Sequence, residues 1–356
     1  MRIAQVSPLD ESVPPKTYGG TERVVHYLTE ELVRRGHDVT LFASGDSHTS
    51  ARLVPLVDQA LVQDERCQDR LAHHLLMLER VLQQAREFDL IHFHCDYIHF
   101  PLSRRTPVAT LTTLHGRLDI PDLGPLYHEF AEVPLVSISE AQRAPLARAY
   151  WVGTVYHGLP EDLYRAREQQ GDYLAMLGRI SPEKGVPQAI EIATRAGLEL
   201  RIAAKVDPTD QEYFERSVRH LLERPGVKFL GEVDESGKQE LLAGALGLLF
   251  PVDWPEPFGL VMIEALACGT PVVAFRRGSV PEVIEDGVTG FVVDDVEHAV
   301  EAVKRVPELS RRDCRAAFER RFTAARMAED YLGLYDRMVK LFAAAPASEF
   351  PPQGAA

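Results

Sequence analysis

The chain has 356 residues, 45% of them hydrophobic, which is long for one domain and enough for two separate cores. Its 39 Lys and Arg are outweighed by 53 Asp and Glu, a net charge of −14, so the general basic footprint of a nucleic-acid binder is missing and no such partner is expected. Four cysteines without a CxxC pair, Cys67, Cys95, Cys268 and Cys314, and no apolar run near the roughly 18 residues of a spanning helix predict a cytoplasmic protein without a disulfide framework or a zinc site.

In chain order, "MRIAQVSP" reads as a buried strand and "LDESVPPKTYGG" as a Pro-rich loop. "TERVVHYLTEELVRRGH" carries apolar residues at helical spacing and stops at Gly36. The strand "DVTLFAS", the helix "DRLAHHLLMLERVLQQAREF" and the strands "DLIHFHC", "PVATLTTLHG", "PLVSISE" and "TVYHG" follow. The polar stretch 159–172 reads as a linker. A second alternation then runs through "YLAMLGRI", "GVPQAIEIATRAG", "LELRIAAK", "QEYFERSVRHLLER", "GVKFLGEV", "SGKQELLAGA", "LGLLFPV", a helix over 259–267, "TPVVAF", "VPEVI" and "EDGVTGFVV". Two helices and a disordered tail close the chain. The pattern predicts two doubly wound α/β domains, whose ligands sit outside the carboxyl ends of the strands and, with two domains, in the cleft between them.

Four stretches fall at such ends. In "WPEPFGLVMIEALACGTPVV", Glu256 lies on a loop after a strand. The amides of Phe258, Gly259 and Leu260 open the next helix, where free N–H groups and the dipole favour an anion. Gly259 would let a ligand approach, and Glu264 could accept two hydrogen bonds from a ribose diol. The plainer alternative makes Glu256 a capping acid and Glu264 a surface charge. In "LGRISPEKG", Arg179 and Lys184 suit a diphosphate. In "KTYGGTERVV", Gly19 and Gly20 could let a loop close over a phosphate, and no GxGxxG occurs to suggest a nicotinamide enzyme. In "TLHGRLD", His115 could bond a sugar hydroxyl or position a reacting group. His92 and His94 share one strand face and are its rivals, with a metal pair the weaker reading. The cluster Arg311, Arg312, Arg315, Arg320 and Arg321 reads as a solvated helix face.

With these stretches in place the chain resembles a family 4 glycosyltransferase of the GT-B fold over nearly its whole length. The most specific element is the pair of glutamates in "EPFGLVMIE", supported by "GRISPEKG", "GSVPEVIEDGVTGFVV" and "FTAARMAEDYLGLYDRM". The resemblance implies two Rossmann-like domains, 1–158 on the acceptor side and 173–322 on the nucleotide-sugar side, joined by the linker 159–172. A helix over 323–342 would cross back to the first domain, ahead of a disordered tail over 343–356. It implies a retaining, metal-independent transfer of a hexose from a nucleotide sugar to an acceptor hydroxyl. UDP is the favoured carrier, with GDP or ADP as alternatives. Arg179 and Lys184 would hold the diphosphate with the amides of Phe258 to Leu260, and Gly19 and Gly20 would approach it from the other domain. Glu264 would bind the ribose, and Gly231, Glu232 and Val233 would line the base pocket. Glu256 and His115 would act at the donor sugar. Alternative readings on the same fold are a sugar phosphorylase, a nucleotide-sugar epimerase or an inactive sugar-nucleotide-binding protein. One departure stands out. "VYHGLPED" places His157 where relatives carry Asn in Pro-Asn-Gly-Val. The helix around 70–84 has mixed charge, so membrane association is not indicated.

Overall fold

Parallel strands covered by helices on both faces must be apolar at nearly every position, and the short Val-, Ile-, Leu- and Phe-rich runs become such strands. The computed structural model describes residues 1–16 and 19–344. They fall into two units, one of Met1–Gly158 with the final helix and the other of Leu159–Thr323. The first unit contains β1 (Arg2–Val6), α1 (Gly20–Arg34), β2 (Asp38–Ala43), β3 (Arg52–Pro55), α2 (Arg70–Gln83), β4 (Leu90–Phe93), α3 (Phe100–Ser103), β5 (Ala109–Thr113), α4 (Leu123–Glu129), β6 (Leu135–Ser137) and β7 (Trp151–Thr154). The second contains β8 (Tyr173–Arg179), α5 (Val186–Ala196), β9 (Glu199–Lys205), α6 (Gln211–Tyr213), α7 (Arg219–Leu222), β10 (Val227–Gly231), α8 (Glu235–Ala243), β11 (Gly247–Phe250), α9 (Leu260–Ala267), β12 (Val272–Phe275), α10 (Val280–Val283), β13 (Gly290–Val293), α11 (Val296–Arg305) and α12 (Arg311–Arg321). Helix α13 (Ala324–Ala344) returns to the first unit.

Both sheets are parallel, in the orders β3-β2-β1-β4-β5-β6-β7 and β10-β9-β8-β11-β12-β13. Each chain path runs outward in one direction and then jumps back past its first strand. The order therefore reverses between β1 and β4 in one unit and between β8 and β11 in the other, where such sheets open a crevice for ligands.

Several expectations are corrected. The last strand of the first unit is Trp151–Thr154 rather than 154–158. It pairs with a β6 only three residues long, and that ladder ends at Ser137 with Thr154. β3, α3 and α4 were not anticipated, since four to seven residues carry little periodic signal. The helix expected over 211–224 has a π-helical middle, Phe214–Val218. Three helices, not two, follow β13. The tail from 345 onward lies outside the described residues, and Ala343 and Ala344 end α13.

The arginine cluster is a solvated face only in part: Arg312 and Arg320 are exposed, paired with Glu168 and Glu285. Arg311 is buried and donates to the carbonyls of Arg167, Ala243 and Ala245 and to Thr270 Oγ1. Arg315 donates to the carbonyls of Glu161, Tyr164 and Ala267. These two guanidiniums satisfy backbone acceptors at the ends of buried elements, and they fasten the 159–172 stretch onto the second unit.

Candidate active site

Helix starts differ in how they are capped, and the short helices α3, α4, α6, α7 and α10 lack a side-chain cap. Asp69, Asp234, Asp295 and Ser310 each accept a backbone N–H at the start of α2, α8, α11 and α12. Helices α1, α5 and α9 instead begin at Gly19, Gly185 and Gly259, with no side-chain cap. These three helices follow β1, β8 and β11, the strands at the points where sheet order reverses.

In the second unit the loops after β8 and β11 are stitched together, Asp253 N–H donating to Glu183 O at 2.9 Å. Lys184 Nζ lies 2.6 Å from Glu256 Oε2, and Trp254 Nε1–H donates to the same oxygen at 2.8 Å. The ammonium also sits 5.0 Å from the centre of the Trp254 ring. Glu256 is 7% exposed, so its charge requires this compensation. Ser279 N–H holds the Glu256 carbonyl at 2.9 Å. A Cβ on Gly278 would stand 2.3 Å from that carbonyl oxygen, and Gly278 has φ +51, so only glycine fits there.

Glu256 does not cap α9, and Glu264 is not a surface charge. The N-cap is Gly259, and Glu264, on the second turn of α9, is 4% exposed. Its partners are Lys238 Nζ at 3.2 Å and Tyr164 OH at 3.4 Å; Tyr164 OH also donates to Glu235. The two acids thus have separate lysines. Arg179 bonds Glu183 at 3.1 Å and pairs with Asp210 at 3.5 Å. Phe258 is buried, and its carbonyl accepts from Ser279 Oγ at 2.9 Å. Leu260 is the first residue of α9. Gly231 ends β10, the edge strand of its sheet, and Glu232 and Val233 follow it.

Packing and backbone conformation also bear on the glycines. A Cβ on Gly259 would meet Met262 Cε at 2.8 Å and the Phe250 ring at 3.0 Å, and one on Gly19 would meet Pro15 at 2.7 Å. With positive φ at both, a side chain is disfavoured there before any ligand is considered. Gly20 opens α1. Thr17 and Tyr18, in the same loop, lie outside the described residues. Glu22, in the first turn of α1, is buried, and that burial pushes its carboxyl up to about 7.

In the first unit His115 follows β5 and belongs to a buried polar chain. His94 Nδ1 and His115 Nε2 are 2.9 Å apart, and His94 Nε2 is 2.7 Å from Gln5 Oε1. His92 bonds Tyr335 OH at 2.7 Å and Thr113 Oγ1 at 2.8 Å. Both nitrogens of His92 and both of His94 are engaged, so this strand pair is built as a hydrogen-bonded core and not as free metal ligands. The His157 ring stacks on His115 with centroids 5.3 Å apart and planes 15° apart. Arg326 of α13 holds the turn at His157 by donating to the carbonyls of Tyr156 and His157. Burial lowers the basicity of His92, His94 and His157 well below the usual imidazole range, and takes His99 and His115 to about 3.

Sequence reading missed Trp254, Lys238, Tyr164, Asp210, Gln5, Tyr331 and Tyr335. Gln5 alone carried a signal, as an amide in the middle of an otherwise apolar strand.

Comparisons with known proteins agree with this layout. The family model described as Glycosyltransferase Family 4 matches residues 18–169, and the one described as Glycosyl transferases group 1 matches residues 165–321. The chain is 27% identical over 380 aligned residues to a glycogen synthase of Mycobacterium tuberculosis, covering 90% of each protein. Among solved structures it is similar to AviGT4, a glycosyltransferase involved in avilamycin A biosynthesis, with 25% identity, a TM-score of 0.75 and coverage of 97% and 98%. It also shares the fold of Anabaena Alr3699/HepE, solved with UDP-glucose, with 18% identity, a TM-score of 0.71 and coverage of 95% and 100%. Among the described residues no helix is long and apolar enough to cross a membrane. Two doubly wound units, uncapped helices at the points of reversal and two family models in tandem all point one way: the chain belongs to the family 4 glycosyltransferases of the GT-B fold and is an enzyme of sugar transfer.

Proposed function

We propose that the enzyme moves a hexose from a nucleoside-diphosphate sugar, UDP-linked by preference, to an acceptor hydroxyl with retention at the anomeric carbon and without a required metal. The observation that carries this reading is the contact of Lys184 with Glu256 beside the uncapped start of α9. A fixed cation and the amides of a helix start together suit the charge that develops on a departing diphosphate. Before a donor arrives, Glu256 balances Lys184. A diphosphate would share the ammonium with Arg179 and the amides from Phe258 to Leu260, freeing Glu256 for the sugar ring. Glu264 is assigned to the ribose and Gly231 to Val233 to the base, while the first unit contributes His115 to the sugar and the Gly19–Gly20 loop to the phosphates. No side chain in this set is placed as a general base; with attack from the leaving-group face, the phosphate itself takes the acceptor's proton. The UDP preference leans on the UDP-glucose complex of a structural neighbour.

The test is thermal unfolding with UDP-glucose, GDP-mannose and ADP-glucose, each with excess EDTA. A ligand at 100 times its Kd adds about 2.7 kcal/mol. The UDP sugar is expected to stabilise the wild type and not Lys184→Ala. Equal stabilisation of both proteins, or loss of the effect with EDTA, would sink the reading. Adding inorganic phosphate and looking for a sugar phosphate separates a phosphorylase, and NMR of the product anomer tests retention.

A further inference from the structure

The buried chain around His115 has a direction. Gln5 Oε1 faces His94 Nε2 at 2.7 Å, and Gln5 Nε2 faces Tyr335 OH at 3.0 Å. An amide oxygen only accepts, so His94 carries its proton on Nε2 and its Nδ1 is a lone pair. The 2.9 Å contact to His115 then requires the proton on His115 Nε2. On the other side, Gln5 Nε2–H donates to Tyr335 O, whose hydroxyl donates to His92 Nδ1 at 2.7 Å. His92 Nε2–H donates to Thr113 Oγ1 at 2.8 Å, and Thr113 meets Tyr331 OH at 2.8 Å. One hydroxyl proton is left over at the Thr113–Tyr331 end, where a hydroxyl can rotate toward an acceptor. Reversing the amide would reverse the whole chain and put a proton on His115 Nδ1. That atom is buried and has no partner among the described residues. A ring N–H cannot rotate to find one, so the amide orientation in the structure gives the better order.

We propose that Gln5 and His94 are positioning residues that hold His115 as the Nε2–H tautomer, so that its bare Nδ1 accepts a hydrogen bond from a hydroxyl of the donor sugar. The sugar as partner rests on the function proposed above; the relay itself does not. The groups that set the electrostatics of His94 are its neighbours His92, His115 and His157, all of which disfavour a charged ring. A neutral amide at position 5 fixes the tautomer without supplying a charge, which a carboxylate there would do.

The experiment is proton–nitrogen correlation NMR of the full chain labelled with [15N]histidine, with His115 identified by the signal missing from His115→Gln. The ligand-free wild type is expected to show His115 protonated at Nε2 alone. Gln5→Glu should charge His94, switch His115 to Nδ1–H and lower kcat/KM for UDP-glucose about 10-fold, the loss of one hydrogen bond. A wild-type His115 carrying its proton on Nδ1, or an unchanged His115 in Gln5→Glu, overturns the relay; the wild-type spectrum decides even if the variant does not fold. Monodeoxy and monofluoro UDP-glucoses test the direction. Fluorine cannot donate, so at the position that meets Nδ1 both analogues should lose activity alike, and a fluoro analogue that keeps activity where the deoxy one fails counts against the proposal. If His115→Gln leaves turnover unchanged while the tautomer is as expected, the assignment of His115 to the sugar fails and the relay stands.

Discussion

Acid should unfold the first unit well before the second. His92, His94, His99 and His157 are buried and His115 is half-buried; all five are held neutral, with folded values depressed from the ordinary 6.5. For a base with a depressed folded pKa, the stability it contributes is present above 6.5 and lost as pH falls, because the unfolded chain takes up protons the fold refuses. At pH 5 each such ring costs about 2 kcal/mol, so five cost about 10 kcal/mol. Glu22 works the other way: held to about 7, it returns about 2 to 3 kcal/mol over the same interval. Carboxylates held low by partners, such as Asp46 and Asp89, lose stability only at lower pH. The net loss of about 7 kcal/mol is comparable to the whole stability of a domain. The second unit has only His220 and His298, both exposed. Each unit also holds one of the two tryptophans, Trp151 and Trp254. Urea unfolding of Trp254→Phe, followed through Trp151, should therefore weaken steeply between pH 7 and 5, whereas Trp151→Phe, followed through Trp254, should change little. A loss below about 2 kcal/mol in the Trp151 signal would refute the reasoning.

Glu22→Gln removes a carboxyl whose raised value means that stability is lost as pH rises through about 7; it should add about 3 kcal/mol at pH 8 and nothing at pH 4, measured by urea midpoints. Gly278→Ala faces both a positive φ and the Glu256 carbonyl at 2.3 Å, so it should cost about 2 to 4 kcal/mol and most of the turnover. Gly287→Ala, at φ +74 with open space around it, should cost only about 1 to 2 kcal/mol; equal losses at both sites would show that the close approach does not matter. Lys238→Met strands the buried Glu264 and should cost about 3 kcal/mol, with Glu264→Gln in that background recovering part of it. No recovery would mean that the two side chains are not coupled.

The amino-acid sequence determined by itself the succession of most of the longer strands and helices, because a period of 3.6 or a short unbroken apolar run is a local property. It marked the loops after β1, β5, β8 and β11 as chemically loaded, since Glu-Pro-Phe-Gly and Gly-Arg…Lys-Gly sit where strands end. Elements of three to five residues such as β3 and α3 were not legible, because they exist through edge pairing and packing rather than periodicity. Partners lay beyond reach for the same reason. Lys184 and Glu256 are 72 residues apart, Lys238 and Glu264 are 26, and Gln5 and Tyr335 are 330. Nothing local says that one lysine serves each acid, that Arg311 and Arg315 hold backbone carbonyls instead of facing water, or that Gly259 packs against Phe250 and Met262. Burial decides these matters. A charge removed from water must find an opposite charge or a set of hydrogen bonds, and only the tertiary structure shows which group answers it.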